Sequence, residues 1–369
     1  MNDSVVWVDF NTLEKFMIDV FTGLGTPLED ALVCSKVLIE ADKRGIDSHG
    51  INRLKPIYYD RIKEGIQEPV TNFEIVKETP TTAVIDGHNG MGHVIGTRAM
   101  QTAIEKAQNF GMGMTVVRNS THYGIAGYYA TMACDAQMIG ITGTNARPSI
   151  APTFGIENML GTNPIVFGMP TDEPFPFCID CATSITQRGK IEIYARAGKP
   201  LPEGWVIRPD GTSGLDSKLT LKELIDDAAA LTPLGGIGEE LAGYKGYGYA
   251  TVVEILSAAL AGGSFLKMLS GYDSDGEKIP YRLGHFFIAI NISSFIEPDL
   301  FKKTTGDILR ALRGSKRAPG AERIYTAGEK EYEAWLARKD KGVPLDKSLQ
   351  KEIKIMEKEL GIKGYSFPF

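Results

Sequence analysis

Residues 110 to 117 read FGMGMTVV, and the order of their parts decides the fold. A dinucleotide-binding turn of the doubly wound type needs a strand first, then glycines spaced G-x-G-x-x-G where a helix opens, then an acid about 20 residues further on. Gly111 and Gly113 carry part of that spacing but stand in front of the β-branched run, so the strand follows the glycines instead of preceding them. LGGIG at 234 to 238 opens a helix-like stretch with no convincing strand ahead of it. Neither a phosphate-binding loop of the nucleotide-hydrolase type nor a nucleophile-elbow serine occurs. The fold is mixed α/β, and not a doubly wound parallel sheet.

Outward from that segment, short β-branched runs predict strands at FEIVK (73 to 77), TTAVIDG (81 to 87), MIGITGT (138 to 144), PIVFGMP (164 to 170), FPFCID (175 to 180) and HFFIAINI (285 to 292). The first sixty-five residues predict helices. Asn11 and Glu14 form a capping box ahead of Leu13, Phe16, Met17 and Val20, and Thr26, Pro27 and Glu29 repeat the signal before a second helix. A third helix is expected from about Ser48 to Arg61, another just after His122 near Gly124, and a long apolar one from Tyr247 to Ala261. After Pro298 the chain turns helical and charged as far as Leu360, with breaks at APG (318 to 320) and Gly342 to Pro344. The expected division is a helical domain from residues 1–72 and 298–369 around a central sheet domain of residues 73–297.

The chain has 369 residues, 43% of them hydrophobic and 23% charged, enough for a sizeable core. A net charge of −6 opposes the broad basic surface that nucleic acid requires. The one basic run, RALRGSKR (310 to 317), reads as a solvated helical face. No apolar stretch nears the ~20 residues of a membrane span, and the amino terminus lacks a signal pattern, so a cytoplasmic protein is expected. Cys34 and Cys134 fall in helical patterns as small apolar groups. Cys178 and Cys181 have redox or zinc spacing, yet no second pair or nearby His completes a tetrahedral site, and no metal is assigned.

The densest chemical signal is Ser48, His49, Gly50 and Arg53. Four residues apart, His49 and Arg53 share one face if the segment is helical. A guanidinium grips a carboxylate with two parallel hydrogen bonds, and an imidazole of pKa about 6.5 passes a proton to an adjacent oxygen. That pairing suits a 2-oxo acid; the competing reading is a surface His and Arg with unrelated contacts. His122, in a loop after a strand, is a second acid/base candidate or a structural histidine. The Gly-, Pro-, Asn- and Thr-rich runs NARPSIAPTFG (145 to 155), LGTNPIVFG (160 to 168), IDCATS (179 to 184), GYKGYG (243 to 248) and APGAER (318 to 323) are either plain turns or places where backbone amides and Lys245 meet phosphates.

Read in order, DSHGINR (47 to 53), IDGHNGMG (85 to 92), NSTHYGIAGYY (119 to 129), TNARPSIAPTFG (144 to 155), LGTNPIVF (160 to 167), IDCATS, GYKGYG and HFFIAI (285 to 290) resemble the malate/L-lactate dehydrogenase family that lacks a Rossmann domain. The family also includes ureidoglycolate, sulfolactate and diketogulonate oxidoreductases and a cyclic-imine reductase. The resemblance spans nearly the whole chain. It implies a largely antiparallel central sheet, a helical domain and a homodimer with its active site in a cleft.

It further implies that His49 is the proton donor and acceptor and that Arg53 holds the substrate carboxylate. His122 lines the substrate pocket and in some members takes the acid/base role itself. Ser48, Asn145 and Arg147 complete the substrate side; Arg147, in the NARP loop, either pairs with a second carboxylate, which puts malate/oxaloacetate first, or is a solvated surface arginine. Asp180, Ala182, Thr183, Lys245, Gly320 and Glu322 are placed against a nicotinamide dinucleotide. Cys181 stands where Met is usual and Asn291 where Asp is common, which leaves NAD or NADP open with NAD slightly favoured. The expected reaction is hydride transfer between that cofactor and a small 2-hydroxy/2-oxo acid, malate/oxaloacetate first. Lactate, ureidoglycolate, sulfolactate, a diketo sugar acid or a cyclic imine acid are the alternatives on the same scaffold. A non-catalytic nucleotide- or metabolite-binding protein is the alternative of another class.

Overall fold

Each β-branched run becomes a strand in the computed structural model, which describes residues 5–369. Strands β2 (Glu74–Glu78), β3 (Thr82–Asp86), β4 (Met112–Ser120), β5 (Met138–Thr144), β6 (Ile165–Met169) and β7 (Phe177–Cys181) are joined by β10 (Leu283–Asn291) in one sheet of order β2-β3-β4-β10-β5-β6-β7. Among the described residues β3 and β4 run parallel and the other five neighbour pairs are antiparallel. The sheet holds one βαβ unit, β3 to β4 through the helix at Gly92–Phe110, and the glycines between its strand and helix, Gly87, Gly90 and Gly92, are not spaced G-x-G-x-x-G; Gly111 and Gly113 bracket the start of β4. A side chain at Gly113 would run into the carbonyl of Ala103 on α4 (Gly92–Phe110), so the glycine lets that helix lie close on the strand.

β10 lies between β4 and β5 and is covered on both faces, which is why LGHFFIAIN reads as a continuous apolar run instead of an alternating one. Phe287 and Ala289 pack with α4 and α5 (Gly127–Asp135) on one face. Phe286 packs with Val253 of α8 (Gly243–Ser257) on the other. A smaller apolar cluster joins Ile191 of α6 (Arg188–Ala197), the region of α7 (Ser217–Ile225) and the short ladder of β8 (Val206–Ile207) with β9 (Ala230–Leu231).

The two ends of the described chain meet. β1 (Val6–Val8) pairs antiparallel with β11 (Val343–Leu345), and α1 (Phe10–Gly23), α2 (Leu28–Lys43) and α11 (Lys347–Leu360) share one apolar cluster. α9 (Pro298–Arg313) and α10 (Glu329–Arg338) complete the helices. Arg310 pairs with Asp172 and Arg313 with Glu173, so part of the basic run is ion-paired against the protein. Among the described residues no helix is long and apolar enough to cross a membrane.

Several local expectations are corrected. The capping residue of α1 is Asp9, which accepts from Thr12 N at 2.9 Å, in place of the Asn11–Glu14 box. α2 begins after Pro27, and Thr26 does not cap it. The helix expected from Ser48 to Arg61 is instead a 3-10 turn (Ile51–Arg53), a π-helical turn (Leu54–Tyr59) and a short α3 (Asp60–Lys63). Pro56 withholds an amide from the α-helical ladder, which accounts for the irregular winding. The helix after His122 starts at Gly127 instead of Gly124, and the apolar helix runs from Gly243 to Ser257 and then tightens to a 3-10 turn (Ala259–Ala261). The break at Gly342 to Pro344 is the start of β11.

Candidate active site

His122 is positioned by the end of β4. Thr121, next to it, donates its hydroxyl to Gly90 O at 2.8 Å and accepts from Gly92 N at 2.9 Å, so the loop sits against the first turn of α4. A side chain at Gly92 would collide with the carbonyls of Thr121 and His122. Asp86 closes the approach, accepting from Arg118 Nε at 2.8 Å and Asn119 Nδ2 at 2.9 Å; burial opposes its charge, but these bonds prevail and hold its pKa below the usual carboxylate value.

His49 comes from the other side of the cleft. Its loop rests on Asp42, a buried carboxyl on α2 that accepts from Ile51 N at 2.9 Å. Burial pushes Asp42 up to about 8, so it is protonated at neutral pH. Arg338 of α10 holds the same loop, donating to Asp42 O at 2.9 Å and to Asp47 Oδ2 at 2.8 Å. Gly50 is required here because a Cβ would occupy the place of the Asp42 carboxyl. His49 and Arg53 do not share a helical face; Arg53 turns its Nε back to Ser48 O at 2.6 Å.

The two imidazoles face each other with centroids 5.8 Å apart and planes 20° from parallel. Burial, aided by the Arg53 charge, brings His49 down to about 4. Burial and then the charges of His49, Arg61, His93 and Arg53 hold His122 well below its ordinary value. Both rings are neutral at pH 7.

Hydrogen bonds fix the tautomer of His122. Its Nδ1 accepts from Gly124 N at 3.3 Å and lies 2.6 Å from the Tyr58 hydroxyl. Burial keeps Tyr58 protonated, so its one proton goes to Nδ1 and its oxygen accepts from His93 Nε2 at 2.9 Å. The bare Nδ1 of His93, buried with no partner, agrees with this direction, because the reverse order would strand an N–H there. His122 thus keeps its proton on Nε2. On His49 the engaged atom is Nδ1, 2.9 Å from Ser48 Oγ.

A cavity of about 190 Å³ opens between them, lined by Ser48, His49, His122, Asn145, Asp180 and Ala182 among others. Asn145 braces the wall, accepting from Gly284 N at 2.8 Å and donating to Ser264 O at 3.1 Å. His285 lies behind, bonded to Thr144 and Ser120 at 2.8 Å each and stacked flat on Tyr123 at 4.3 Å. Asp180, raised by burial, accepts from Gly127 N at 2.7 Å and also borders a second cavity of about 400 Å³ against α2 and α10.

Arg53, Arg147, Thr183, Lys245, Gly320 and Glu322 are not among the lining residues. Thr183 is buried and donates its hydroxyl to backbone carbonyls, Thr162 O and Asn163 O. Arg147 is exposed, as are Gly320 and Glu322 in the coil between α9 and α10. Lys245 is exposed in the first turn of α8. That helix start has no side-chain cap, and its Gly243 and Gly246 have no room for a Cβ against Gly236 O and Leu234 O. Leu234 N in turn donates to Thr183 O at 2.7 Å. Uncapped amides beside Lys245, which no acid pairs among the described residues and which lies over the Tyr244 ring, fit a phosphate group. Among the described residues no cluster of His, Cys, Asp or Glu would hold a metal.

His93, Tyr58 and His285 were not identifiable from sequence as site residues, since nothing local marks a buried His as part of a network.

The sequence pattern described as malate/L-lactate dehydrogenase matches residues 8–354. The chain is 41% identical to the malate dehydrogenase of Pyrococcus horikoshii over 99% of its own length and 98% of the relative's. It is 39% identical to the L-sulfolactate dehydrogenase of Methanocaldococcus jannaschii, over 95% and 96%. The crystal structure of malate dehydrogenase from Entamoeba histolytica superposes with a TM-score of 0.93 at 45% identity, covering 99% of this chain and 100% of that one.

Proposed function

Because the chain belongs to the malate/L-lactate dehydrogenase family, we propose that it interconverts malate and oxaloacetate with NAD or NADP. The observation that carries the reading is the pair of neutral imidazoles 5.8 Å apart across the cavity. With its Nδ1–H given to Ser48, His49 offers a bare Nε2 and takes the hydroxyl proton during oxidation; as imidazolium it returns that proton during reduction. His122, protonated on Nε2, donates a hydrogen bond to the same oxygen. Arg53 holds the carboxylate beside the reacting carbon and so sets the face presented. The nicotinamide, when bound, supplies or accepts the hydride at that carbon.

The run Asp180, Ala182 and Thr183, with Lys245 at the start of α8, would hold the dinucleotide, and Gly320 and Glu322 would close over it. The neighbouring cavity is lined by Glu40, Asp135, Asp180 and Glu331 with Lys43 and Arg44, and both cations are paired to Glu40, so an extra phosphate there would meet acid in excess, which favours NAD. A homodimer is supported by the exposed apolar face of Tyr249, Val252 and Ile255 on α8, continued by Leu260, Phe265 and Met268. The same reading takes residues 1–72 with 298–369 as one helical domain, in line with the cluster shared by α1, α2 and α11. It also takes the protein to be cytoplasmic. The test is oxidation of NADH and NADPH by purified protein with oxaloacetate, pyruvate, sulfopyruvate and a cyclic imine acid, and reduction of NAD with malate and ureidoglycolate. Fastest turnover with the malate/oxaloacetate pair is expected; a clear preference for another acid replaces the substrate.

A further inference from the structure

Two arginines near the cavity have no acid to neutralise them. Arg61, on α3, is half-buried, and its guanidinium makes no hydrogen bond or ion pair with any described residue; its contact is the Tyr281 ring, 4.3 Å from the guanidinium carbon. Tyr281 is two residues before Leu283, which lines the cavity. The acids nearest in sequence are both taken, Asp60 by Lys55 at 2.8 Å and Glu64 by Lys278 at 2.7 Å. Arg147 is exposed and likewise unpaired among the described residues.

Arg61 follows Tyr58 by about one turn, and the Tyr58 hydroxyl touches His122. His122 accordingly feels both Arg61 and Arg53. Burial weakens the charged form of Arg61, and the charge of Arg147 adds to the strain. A guanidinium carries five donors. Enclosing one without an acceptor, beside a second of like charge, is unfavourable in the free protein and is offset when an anion sits between them.

We propose that Arg61, with Arg147, forms a second anion subsite that takes the far acidic group of the substrate, while Arg53 takes the carboxylate next to the reacting carbon. The preferred substrate is then a 2-oxo acid ending in a second carboxylate or a sulfonate, not a monoacid. This rests on the dehydrogenase reading above.

The test compares kcat/KM for oxaloacetate and pyruvate in the wild type and in Arg61→Gln, Arg61→Lys and Arg147→Gln, with circular dichroism to confirm folding. In Arg61→Gln the oxaloacetate-to-pyruvate ratio is expected to fall by roughly 100-fold, mainly through KM, since a desolvated charge pair is lost. Arg61→Lys restores part of the ratio, and Arg147→Gln lowers it less. An unchanged ratio in a folded Arg61→Gln overturns the subsite, as does a wild type that prefers pyruvate. A wild type that turns over no 2-oxo acid with either nucleotide overturns the dehydrogenase reading itself.

Discussion

The two walls of the cleft are built on different principles. The His122 wall is an extension of the sheet: β4 ends there, glycines admit α4, and a chain of neutral donors and acceptors runs from His93 through Tyr58. The His49 wall is a short irregular segment resting on a buried carboxyl and tied by an arginine from α10. One side is built on a sheet strand and braced by an ion pair and a neutral chain, the other on a coil segment seated on one buried carboxyl, and the two respond to different perturbations.

Removing the proposed base tests the comparison hardest. His49→Ala should lower kcat by roughly 10²- to 10⁴-fold in both directions, while NADH affinity, read by fluorescence titration, stays the same. A mutant that keeps its turnover would hand the acid/base role to the opposite wall. Next, Gly50→Ala forces a methyl onto the Asp42 carboxyl and displaces His49, for an expected loss of roughly 10²-fold in kcat. A fully active alanine variant would show the loop to be more forgiving than its packing indicates.

On the sheet side the effect is smaller. Tyr58→Phe removes one buried hydrogen bond to His122, and kcat should drop about tenfold. Because Gly124 N still donates to Nδ1, the tautomer survives, and nitrogen-15 NMR should show His122 protonated on Nε2 in both proteins. A signal from a protonated Nδ1 would reverse the direction of the chain.

Acid and base should separate Asp42 from the buried histidines by sign. His49, His93 and His285 have pKa values pushed down, to about 4, 3 and 3, so the unfolded chain binds protons that the folded one does not. Their contribution is complete above the unfolded pKa of about 6.5 and is lost as pH falls toward 4 to 3. Asp42 goes the other way: raised to about 8, it favours folding at low pH and loses that contribution as pH rises from its model-peptide value of 3.8 toward 8. Asp42→Asn should therefore remove the part of the fall in melting temperature that runs from pH 3.8 toward 8, and steepen the rise that the histidines give over the acid half of that window. The smallest effect expected is that of Arg338→Ala, about 1 kcal/mol because Asp47 is half exposed to solvent. Measured by denaturant titration, a loss several times larger would mean the tie also supports α10.

Much of the sheet was legible because β10 and its neighbours carry runs that only a buried strand explains. The winding after Gly50 was not, since the Asp42 contact that shapes it lies on another helix and Pro56 argues only against regularity. His49 and His122 stood out by motif. Arg61, Tyr58 and His93 did not: an arginine on a charged helical turn looks like any surface arginine until its lack of an acid partner is seen in three dimensions. Asn145 read as a ligand contact and in the fold has both ends of its amide occupied by backbone.

The tie between Arg338 and Asp47 joins residues 291 positions apart. On the ribosome the loop bearing His49 emerges early and waits for α10 before it can be clamped, whereas the strands around His122 find partners sooner, apart from β10. A chain released before α10 lacks that clamp and holds the His49 loop by Asp42 alone, so nearly finished copies would have one wall of the cleft set and the other loose.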